Sequence, residues 1–291
     1  MTSLQDLRAL ENSAGAWREA TEIETGTVTA EQIRLIAECL QGPTPALGGQ
    51  PPAVPPMWLV GTCVRWADAA SLGIDGHPTG GVGYPPITPR RRLFAGGRLE
   101  VHQPVVVGDT ITRRSHVTNV RAVEAKAGPL LFVTVRDEFT DAPSGGLRCV
   151  EHHDLAYRAG DATPQPARAP QAAAVSPGGI SLRTDEIQLF RFSALTANSH
   201  RIHYDRRYAV EVEKLPGLLV HGPLVALLML ELARRLAPER AVATFSYRLS
   251  QPVACGAQIS ARVSAEGDNG WDVEVAGPQG VAASGSIGFG R

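Results

Sequence analysis

The chain has 291 residues, enough for two ordinary domains or for one fold enlarged by duplication. An apolar fraction of 43% with 20% charged residues excludes a disordered chain. A formal net charge of −1 provides no overall field toward nucleic acid or an anionic membrane, so we predict neither as a partner.

Two helices are predicted early in the chain. Thr29 precedes apolar residues at helical spacing, and Gln32 lies where it can close a capping box, so one helix is predicted to begin there. The apolar segment PPMWLVGTCVRWADAASLG, residues 55–73, is predicted to form a longer helix. Three or four segments of alternating polarity follow and predict strands. His152 and His153 fall in one of them, where one ring faces outward, and we interpret both as structural.

A segment rich in Pro, Ala and Gly divides the chain. The sequence RAGDATPQPARAPQAAAVSPGG, residues 158–179, has no periodic apolar pattern. It predicts a linker over residues 161–180. The N-terminal domain would then cover residues 1–160 and the C-terminal domain residues 181–291.

The two halves share a sequence pattern. EVHQPVVVGDTI (100–111) and RLSQPVACGAQI (248–259) have Gln-Pro-Val, a glycine and an isoleucine at the same spacing, which is typical of a strand, a turn and the next strand. Asp185 and Gln188 repeat the capping pattern of the first half. The chain therefore contains a duplicated unit.

The second half contains the most apolar stretch, LPGLLVHGPLVALLMLEL, residues 215–232. Pro and Gly residues interrupt this stretch too often for a membrane span. A helix that starts near Pro223 would be apolar on almost all sides, so we predict that the helix is enclosed by the rest of the fold. A long helix wrapped by an antiparallel sheet is an α+β arrangement. We predict an α+β fold with two such copies, their sheets edge to edge.

The segment FSALTANSHRIHYD, residues 192–205, concentrates polar residues after an apolar run. One interpretation is a metal site, since His200 and His203 have a spacing seen in zinc proteins. No cysteine lies near them, however, and a third ligand would have to come from Asp205 or His221. We therefore predict no metal.

Two further interpretations of this segment remain open from the pattern alone. Asn198 and His200 could simply cap and solvate the end of a helix that stops near Ala197. His203, beside the apolar Ile202, is not explained by a cap and could instead belong to an acid/base site.

The same segment, followed further on by LLVHGP, resembles the hydratase motif of the MaoC-like enoyl-thioester hydratases, which have the hot-dog fold. The first half, with PPMWL, DGHPTGG, PRRRLFAGGRLEVHQPVVVGD and GPLLFVTV, resembles the N-terminal half of type II hydroxyacyl-thioester dehydratases and of mesaconyl-CoA and itaconyl-CoA hydratases. The resemblance covers roughly residues 20 to 160 and 180 to 290. It implies a double hot dog, with one copy of the helix and sheet in each half.

The resemblance implies a role for each residue of the motif. His203 matches the catalytic histidine, whereas Asn198 stands where the family usually has an acidic residue. An amide can orient a water but cannot accept its proton, so His203 would act nearly alone as the base. His200 and Arg201 occupy the Asn-Pro step of the family motif, and His200 and His221 are expected to contact the substrate.

The sequence VHGPL supplies the second catalytic requirement, which is stabilisation of an enolate oxygen. Gly222 allows close approach, and Pro223 is expected at the first helical position, where backbone N–H groups have no intrahelical partner. We predict the Gly222 N–H as the oxyanion donor, the alternative being that Gly-Pro merely starts a buried helix.

Two observations concern the first half. If Thr29 aligns with Asp185, then Gly42 and Leu47 stand opposite Asn198 and His203, which predicts one active site per chain. The run Arg90, Arg91 and Arg92 is the most basic part of the sequence. It could clamp the phosphates of coenzyme A, pair with a carboxylate on the acyl group, or lie in a solvated loop.

These expectations predict a hydro-lyase that reversibly hydrates a short, branched or dicarboxylic enoyl-CoA, with no cofactor beyond the coenzyme A of the substrate. The alternatives are a dehydratase acting on acyl-carrier-protein substrates, a non-catalytic thioester-binding protein and, last, a thioesterase, for which Asp205 is the sole carboxylate in the cluster. Scattered cysteines and the lack of a secretory leader predict a cytoplasmic protein, and paired hot-dog sheets predict a homodimer.

Overall fold

The computed structural model describes residues 3–45, 53–88, 90–125, 128–159 and 178–290. The strands within these ranges are β1 Thr21–Thr27, β2 Arg90–Val101, β3 Thr110–Ala125, β4 Gly128–Asp141, β5 Leu147–Ala159, β6 Ile180–Arg183, β7 Val242–Leu249, β8 Gln258–Gly267, β9 Gly270–Gly277 and β10 Gly280–Phe289. The α-helices are α1 Leu4–Glu11, α2 Ala16–Glu19, α3 Ala30–Cys39, α4 Glu186–Leu195, α5 Arg206–Glu211 and α6 Gly222–Leu236.

The described strands form one antiparallel sheet in the order β1-β3-β4-β5-β2-β7-β10-β9-β8-β6. β2 and β7 pair at its centre, from Gly96 opposite Arg248 to Glu100 opposite Thr244, and join the two halves. In the second half α6 is enclosed, since every residue from 224 to 233 is buried. The α+β class is confirmed.

The first helix of each half begins where the sequence predicts. The Thr29 hydroxyl accepts from the Gln32 N–H at 3.1 Å, and the Gln32 side chain accepts from the Thr29 N–H at 3.0 Å, which closes the capping box of α3. Asp185 caps α4 by accepting from the Gln188 N–H at 2.8 Å. The Gln188 amide instead donates to the Cys39 carbonyl oxygen at 2.6 Å, so it ties α4 to the end of α3.

The repeated Gln-Pro-Val segments form the same turn twice. Gly108 and Gly256 both have left-handed backbones, with φ of 101° and 87°, a conformation that favours glycine. The Gly108 N–H donates to the Val28 carbonyl at 2.9 Å, and the Gly256 N–H donates to the Thr184 carbonyl at 3.1 Å. The duplicated pattern therefore corresponds to a duplicated backbone.

The chain also enters the two halves in the same way. Before α6, the Val220 N–H donates to the Val253 carbonyl at 2.8 Å, and in the first half the Val54 N–H donates to the Val105 carbonyl at 2.7 Å. Despite this equivalent entry, the long helix predicted over residues 55–73 does not form, and that prediction was wrong.

The reason lies in the residues after Val54. Pro55 and Pro56 come where the second half has His221 and Gly222, so Met57 stands where the second half has Pro223. Met57 adopts a left-handed backbone with φ of 65°, which cannot continue an α-helix, and only two short 3-10 turns follow within this segment, Trp58–Gly61 and Ala69–Ser71. A cavity lies against β3, β4 and β5 in this half.

Some predictions fall on residues outside the described ranges. Leu47 and residues 161–177 of the predicted linker are among them, so the linker stays a prediction. Among the helices that are described, none is both long and apolar enough to span a lipid bilayer.

Candidate active site

Two cavities meet beside the N-terminus of α6. The first-half cavity, about 330 Å³, lies against β3 to β5, and the second-half cavity, about 380 Å³, is lined by residues of β2, β7 and the segment 198–203. They share five lining residues, His77, Arg92, Phe94, Asn198 and Pro223, and we call the two adjoining cavities together the channel. A third cavity, about 570 Å³, is lined by none of the predicted site residues.

His203 ends a 3-10 turn, Arg201–His203, and lines the second-half cavity with 7% of its surface exposed. Its Nδ1–H donates to the carbonyl oxygen of Leu219 at 2.8 Å, since a carbonyl can only accept. Nε2 is therefore the unprotonated nitrogen. Burial lowers the pKa of His203 to about 4; the hydrogen bond to Leu219 raises this pKa, and the charge of Arg92 lowers it further. The ring is therefore neutral at pH 7.

His221 supports this ring from behind. It stacks on His203, and its Nε2 lies 2.9 Å from the hydroxyl oxygen of Ser193. It is fully buried and lines neither cavity of the channel, and burial lowers its pKa well below 6.5. The structure corrects the expectation of a substrate contact, because the turn before α6 directs the ring into the core.

Asn198 combines the two interpretations that the sequence left open. After α4 ends, Ala197 adopts a left-handed backbone with φ of 50°, and the Asn198 N–H donates to the Ser193 carbonyl at 2.9 Å, which caps the helix. The Asn198 side chain lines both cavities, and its Oδ1 accepts from the His200 N–H at 3.1 Å. Its amide N–H donors bind no described residue and can hold a water or a substrate oxygen.

The N-terminus of α6 also reaches the channel. The helix begins at Gly222, so Pro223 is its second residue and not the first as predicted. The Gly222 N–H makes no hydrogen bond with the described part of the chain, as expected for the first turn. A side chain at this position would place Cβ 2.7 Å from Leu249 Cδ1 and 2.9 Å from Phe94 Cβ, so close packing also requires glycine.

His77 joins the site, although it was not among the residues predicted from the sequence. Its ring lies 4.4 Å from that of His200, which lines the second-half cavity and has a buried Nε2 without a hydrogen-bond partner. The loop that carries His77 docks through the Arg201 N–H, which donates to the Asp75 carbonyl at 2.9 Å. The DGHPTGG motif was the only sequence signal for His77, because this contact joins residues far apart in the chain.

The three consecutive arginines have different surroundings. Arg90 is almost buried, pairs with Asp75 at 3.5 Å, donates to the Pro78 carbonyl at 2.7 Å and lines neither cavity of the channel. Arg92 lines both cavities and donates to the Tyr84 hydroxyl at 3.0 Å. Arg91 lines neither cavity of the channel. The run therefore places one guanidinium, that of Arg92, inside the channel.

Two further residues help to distinguish the functional alternatives. Asp205 caps α5, forms an ion pair with Arg201 at 2.7 Å and lines neither cavity of the channel, so it offers no carboxylate for thioester hydrolysis. Gly42, the predicted counterpart of Asn198, lies against Arg235 and lines neither cavity.

The arrangement supplies the groups that water addition to a conjugated thioester requires. A neutral imidazole with a free Nε2, an amide with free donors and an unpaired helical N–H all border one channel. Within the described ranges, no group of three or more His, Cys, Asp or Glu side chains could hold a metal ion.

Residues 63–255 match the family model described as hydroxyacyl-thioester dehydratase type 2. The chain is 37% identical to the mesaconyl-C(4)-CoA hydratase of Chloroflexus aurantiacus over 271 residues, which is 92% of this chain and 94% of that protein.

Solved structures with a similar fold include a MaoC-like dehydratase from Phytophthora capsici, with a TM-score of 0.68, 15% identity and coverage of 95% of this chain and 97% of the other. A conserved hypothetical protein from Mycobacterium tuberculosis, described as a double hotdog fold, has a TM-score of 0.56, 16% identity and coverage of 96% and 97%. The predicted double hot dog is confirmed.

Proposed function

The chain belongs to the family of type 2 hydroxyacyl-thioester dehydratases, and from that premise we propose that it is a hydro-lyase acting on a short enoyl-CoA thioester. The observation that carries the proposal is the free Nε2 of His203, held in the channel by the bond between Nδ1–H and Leu219. The name of the Chloroflexus relative supports a branched, dicarboxylic acyl group of the mesaconyl type.

Each residue has one task in the proposed hydration. The thioester carbonyl accepts from the Gly222 N–H, where the start of α6 stabilises the negative charge that develops on oxygen. Asn198 orients a water toward the β-carbon, and His203 Nε2 takes one of its protons as the C–O bond forms. The imidazolium then returns this proton to the α-carbon, and dehydration follows the same steps in reverse.

The environment of His203 suits a base that must take up a proton and release it again in each turnover. A buried imidazole with a pKa of about 4 is neutral, and therefore competent, throughout the physiological pH range. The imidazolium forms only as negative charge develops on the enolate, and the Leu219 carbonyl bound to Nδ1–H stabilises it.

The two cavities of the channel would hold different parts of the substrate. The first-half cavity, which lies against β3 to β5, receives the acyl group beyond the thioester. The second-half cavity receives the thioester and the chain that leads to the nucleotide of coenzyme A, with Arg158 and Arg248 among its lining residues.

An acyl carrier protein is the second candidate carrier, and the same two arginines favour it. Carrier proteins are acidic, and Arg158 and Arg248 lie where the carrier would approach. Comparing kcat/KM on one acyl group attached to coenzyme A and to a carrier protein separates the two. A preference of more than about tenfold for the carrier-protein thioester would favour this second candidate.

The proposal includes a cytoplasmic homodimer that needs no cofactor other than the coenzyme A of its substrate. Four free cysteines, three of them buried, support a reducing compartment. Exposed apolar residues on α4, Ile187 and Phe190, support association of two chains. Light scattering of the purified protein tests the dimer, and a mass of one chain would refute it.

The direct test of function is incubation of the purified protein with a panel of enoyl-CoA thioesters. We expect loss of the conjugated-thioester absorbance and a product heavier by one water for at least one short substrate. Ligand binding without an absorbance change would instead indicate a thioester-binding protein, and release of free thiol would indicate a thioesterase.

A further inference from the structure

A cluster of charged residues that takes no part in the proposed reaction steps lies at the floor of the first-half cavity. Arg113 on β3, Asp137 on β4, and Glu151 and His153 on β5 all line this cavity. The strand register brings Asp137 directly opposite Glu151. We call these four residues the polar floor.

The polar floor has more hydrogen-bonding capacity than the protein itself uses. Four of its atoms are buried without a partner among the described residues: Arg113 Nε, Asp137 Oδ1, Glu151 Oε1 and His153 Nδ1. Leaving a buried polar group unsatisfied is costly, and native structures contain few such groups. Several of them around one cavity indicate a ligand group that completes their hydrogen bonds.

Most of the charge in the floor is internally balanced. His153 Nε2 lies 3.1 Å from Asp137 Oδ2. Burial lowers the pKa of His153, but the hydrogen bond and charge of Asp137 outweigh it and raise that pKa overall. Burial raises the pKa of Asp137, but His153 outweighs it and lowers that pKa overall. The two therefore form an ion pair.

The remaining ionisable residues of the floor are Glu151 and Arg113. Burial raises the pKa of Glu151 to about 7, so this carboxyl group is largely neutral below neutral pH. Arg113 is permanently charged and forms no ion pair with any described carboxylate. Arg113 thus lines the cavity with no carboxylate of the described residues within ion-pair distance, as a binding site for a ligand carboxylate would require.

The floor lies close to the reacting position. The Phe94 side chain packs against Gly222, and its ring centroid is 5.7 Å from that of His153. A single aromatic side chain therefore separates the oxyanion donor from the floor. Arg92 is a weaker candidate for a distal anion, since its guanidinium already donates to the Tyr84 hydroxyl where the cavities meet.

We propose that Arg113, with the hydrogen-bonding atoms of the polar floor, binds a free carboxylate at the far end of the acyl group. This inference rests on the proposed function and assigns its specificity: the preferred substrates are enoyl-CoA thioesters whose acyl chain ends in a carboxylate. A methyl-terminated chain of equal length would leave the floor unsatisfied and the charge of Arg113 unpaired.

The test compares matched substrates on the wild type and on Arg113→Gln. The substrates are trans-enoyl-CoA thioesters that end in a carboxylate or in a methyl group, with zero, one or two methylene groups before the terminal group. For the best carboxylate substrate we expect Arg113→Gln to lower kcat/KM by about 10- to 100-fold, mainly through KM. The value for its methyl-terminated match should change less than about threefold.

Two variants make the result specific. Arg113→Lys keeps the charge without the planar fork and should retain part of the carboxylate preference. Arg114→Gln, the next residue on β3 and exposed, should retain all of it. The proposal would be overturned if Arg113→Gln lowered kcat/KM equally for the carboxylate and the methyl series. It would also be overturned if Arg113→Gln kept the preference for carboxylate substrates and Arg92→Gln lost that preference.

Failure of the proposed function can be distinguished from failure of the carboxylate-binding proposal. If the wild type hydrated no substrate in either series, binding of succinyl-CoA and butyryl-CoA, measured by calorimetry, would still test the floor. Tighter binding of succinyl-CoA that is lost in Arg113→Gln would support the proposal, whereas equal binding of the two ligands would overturn it.

Discussion

The imidazole rings of His203 and His221 stack with their centroids 3.7 Å apart and their planes 19° apart. Two adjacent cations are unfavourable in this buried position, so the stack is stable when both rings are neutral. His221 is in turn held through the Ser193 hydroxyl, on the helix that leads into the Asn198 turn. The position of the proposed base thus depends on a chain of buried contacts.

The contact between Ser193 and His221 gives a first prediction. Ser193→Ala leaves His221 Nε2 buried without a partner and should lower the free energy of unfolding by about 1 to 3 kcal/mol. Urea denaturation followed by circular dichroism measures this loss. Ser286→Ala removes an exposed hydrogen bond on β10 and should change stability by less than about 0.5 kcal/mol. Equal effects of the two variants would contradict the buried-contact interpretation.

Stability should fall with acid between pH 6.5 and about 4. Burial lowers the pKa of His77, His200, His203 and His221 in the folded state, to about 4 for His203, so the unfolded chain binds more protons in this window. The folding free energy these neutral rings contribute is complete above pH 6.5 and is lost as pH falls. Glu151, with its raised pKa, acts oppositely from 4.5 to about 7.

The histidines with a lowered pKa, which also include His152, outnumber the groups with a raised pKa, which are Glu151, Glu213 and His153. Each net proton is worth up to about 1.4 kcal/mol per pH unit. Denaturation midpoints measured across pH 4 to 8 check the slope. Stability that stayed level or rose from pH 6.5 to 4 would contradict the neutral, buried histidines.

Gly222→Ala should reduce both activity and stability. The added Cβ would lie 2.7 Å from Leu249 Cδ1 and 2.9 Å from Phe94 Cβ, which forces the start of α6 to move. We expect a loss of about 1 to 3 kcal/mol in stability, and a fall in kcat of about 100-fold if the N–H shifts by about 1 Å. Gly217→Ala is the control, since its Cβ would meet only Arg206 Nη1 at 3.5 Å. A wild-type kcat for Gly222→Ala would show that the Gly222 N–H is not the oxyanion donor.

Arg90 should prove structural. Arg90→Gln leaves the buried Asp75 carboxylate without its ion pair and should cost about 3 to 5 kcal/mol of stability. Combining it with Asp75→Asn should recover part of this loss in a double-mutant cycle. A raised KM with unchanged stability would instead indicate that Arg90 binds the substrate.

The sequence was most informative where structure depends on neighbours in the chain. The capping residues Thr29 and Asp185 and the paired turns at Gly108 and Gly256 are local signals, and the structure confirms them. The motif also located the segment containing His203, because family resemblance preserves residue order.

Contacts between distant segments could not be predicted in the same way. The helix expected over residues 55–73 had the right apolar composition, but the left-handed backbone at Met57 is incompatible with it. Arg113 and His153 looked like ordinary strand residues. They line the same cavity because β3, β4 and β5 pair in one register, which joins residues far apart in the chain.

The most direct test of the account is the hydration rate of His203→Ala on the best enoyl-CoA substrate. The variant should lose about 100- to 10,000-fold in kcat, the contribution typical of a general base. His102→Ala, an exposed histidine outside the channel, should keep the wild-type rate. Hydration by His203→Ala at the wild-type rate would contradict the assignment of the base and, with it, the proposed mechanism.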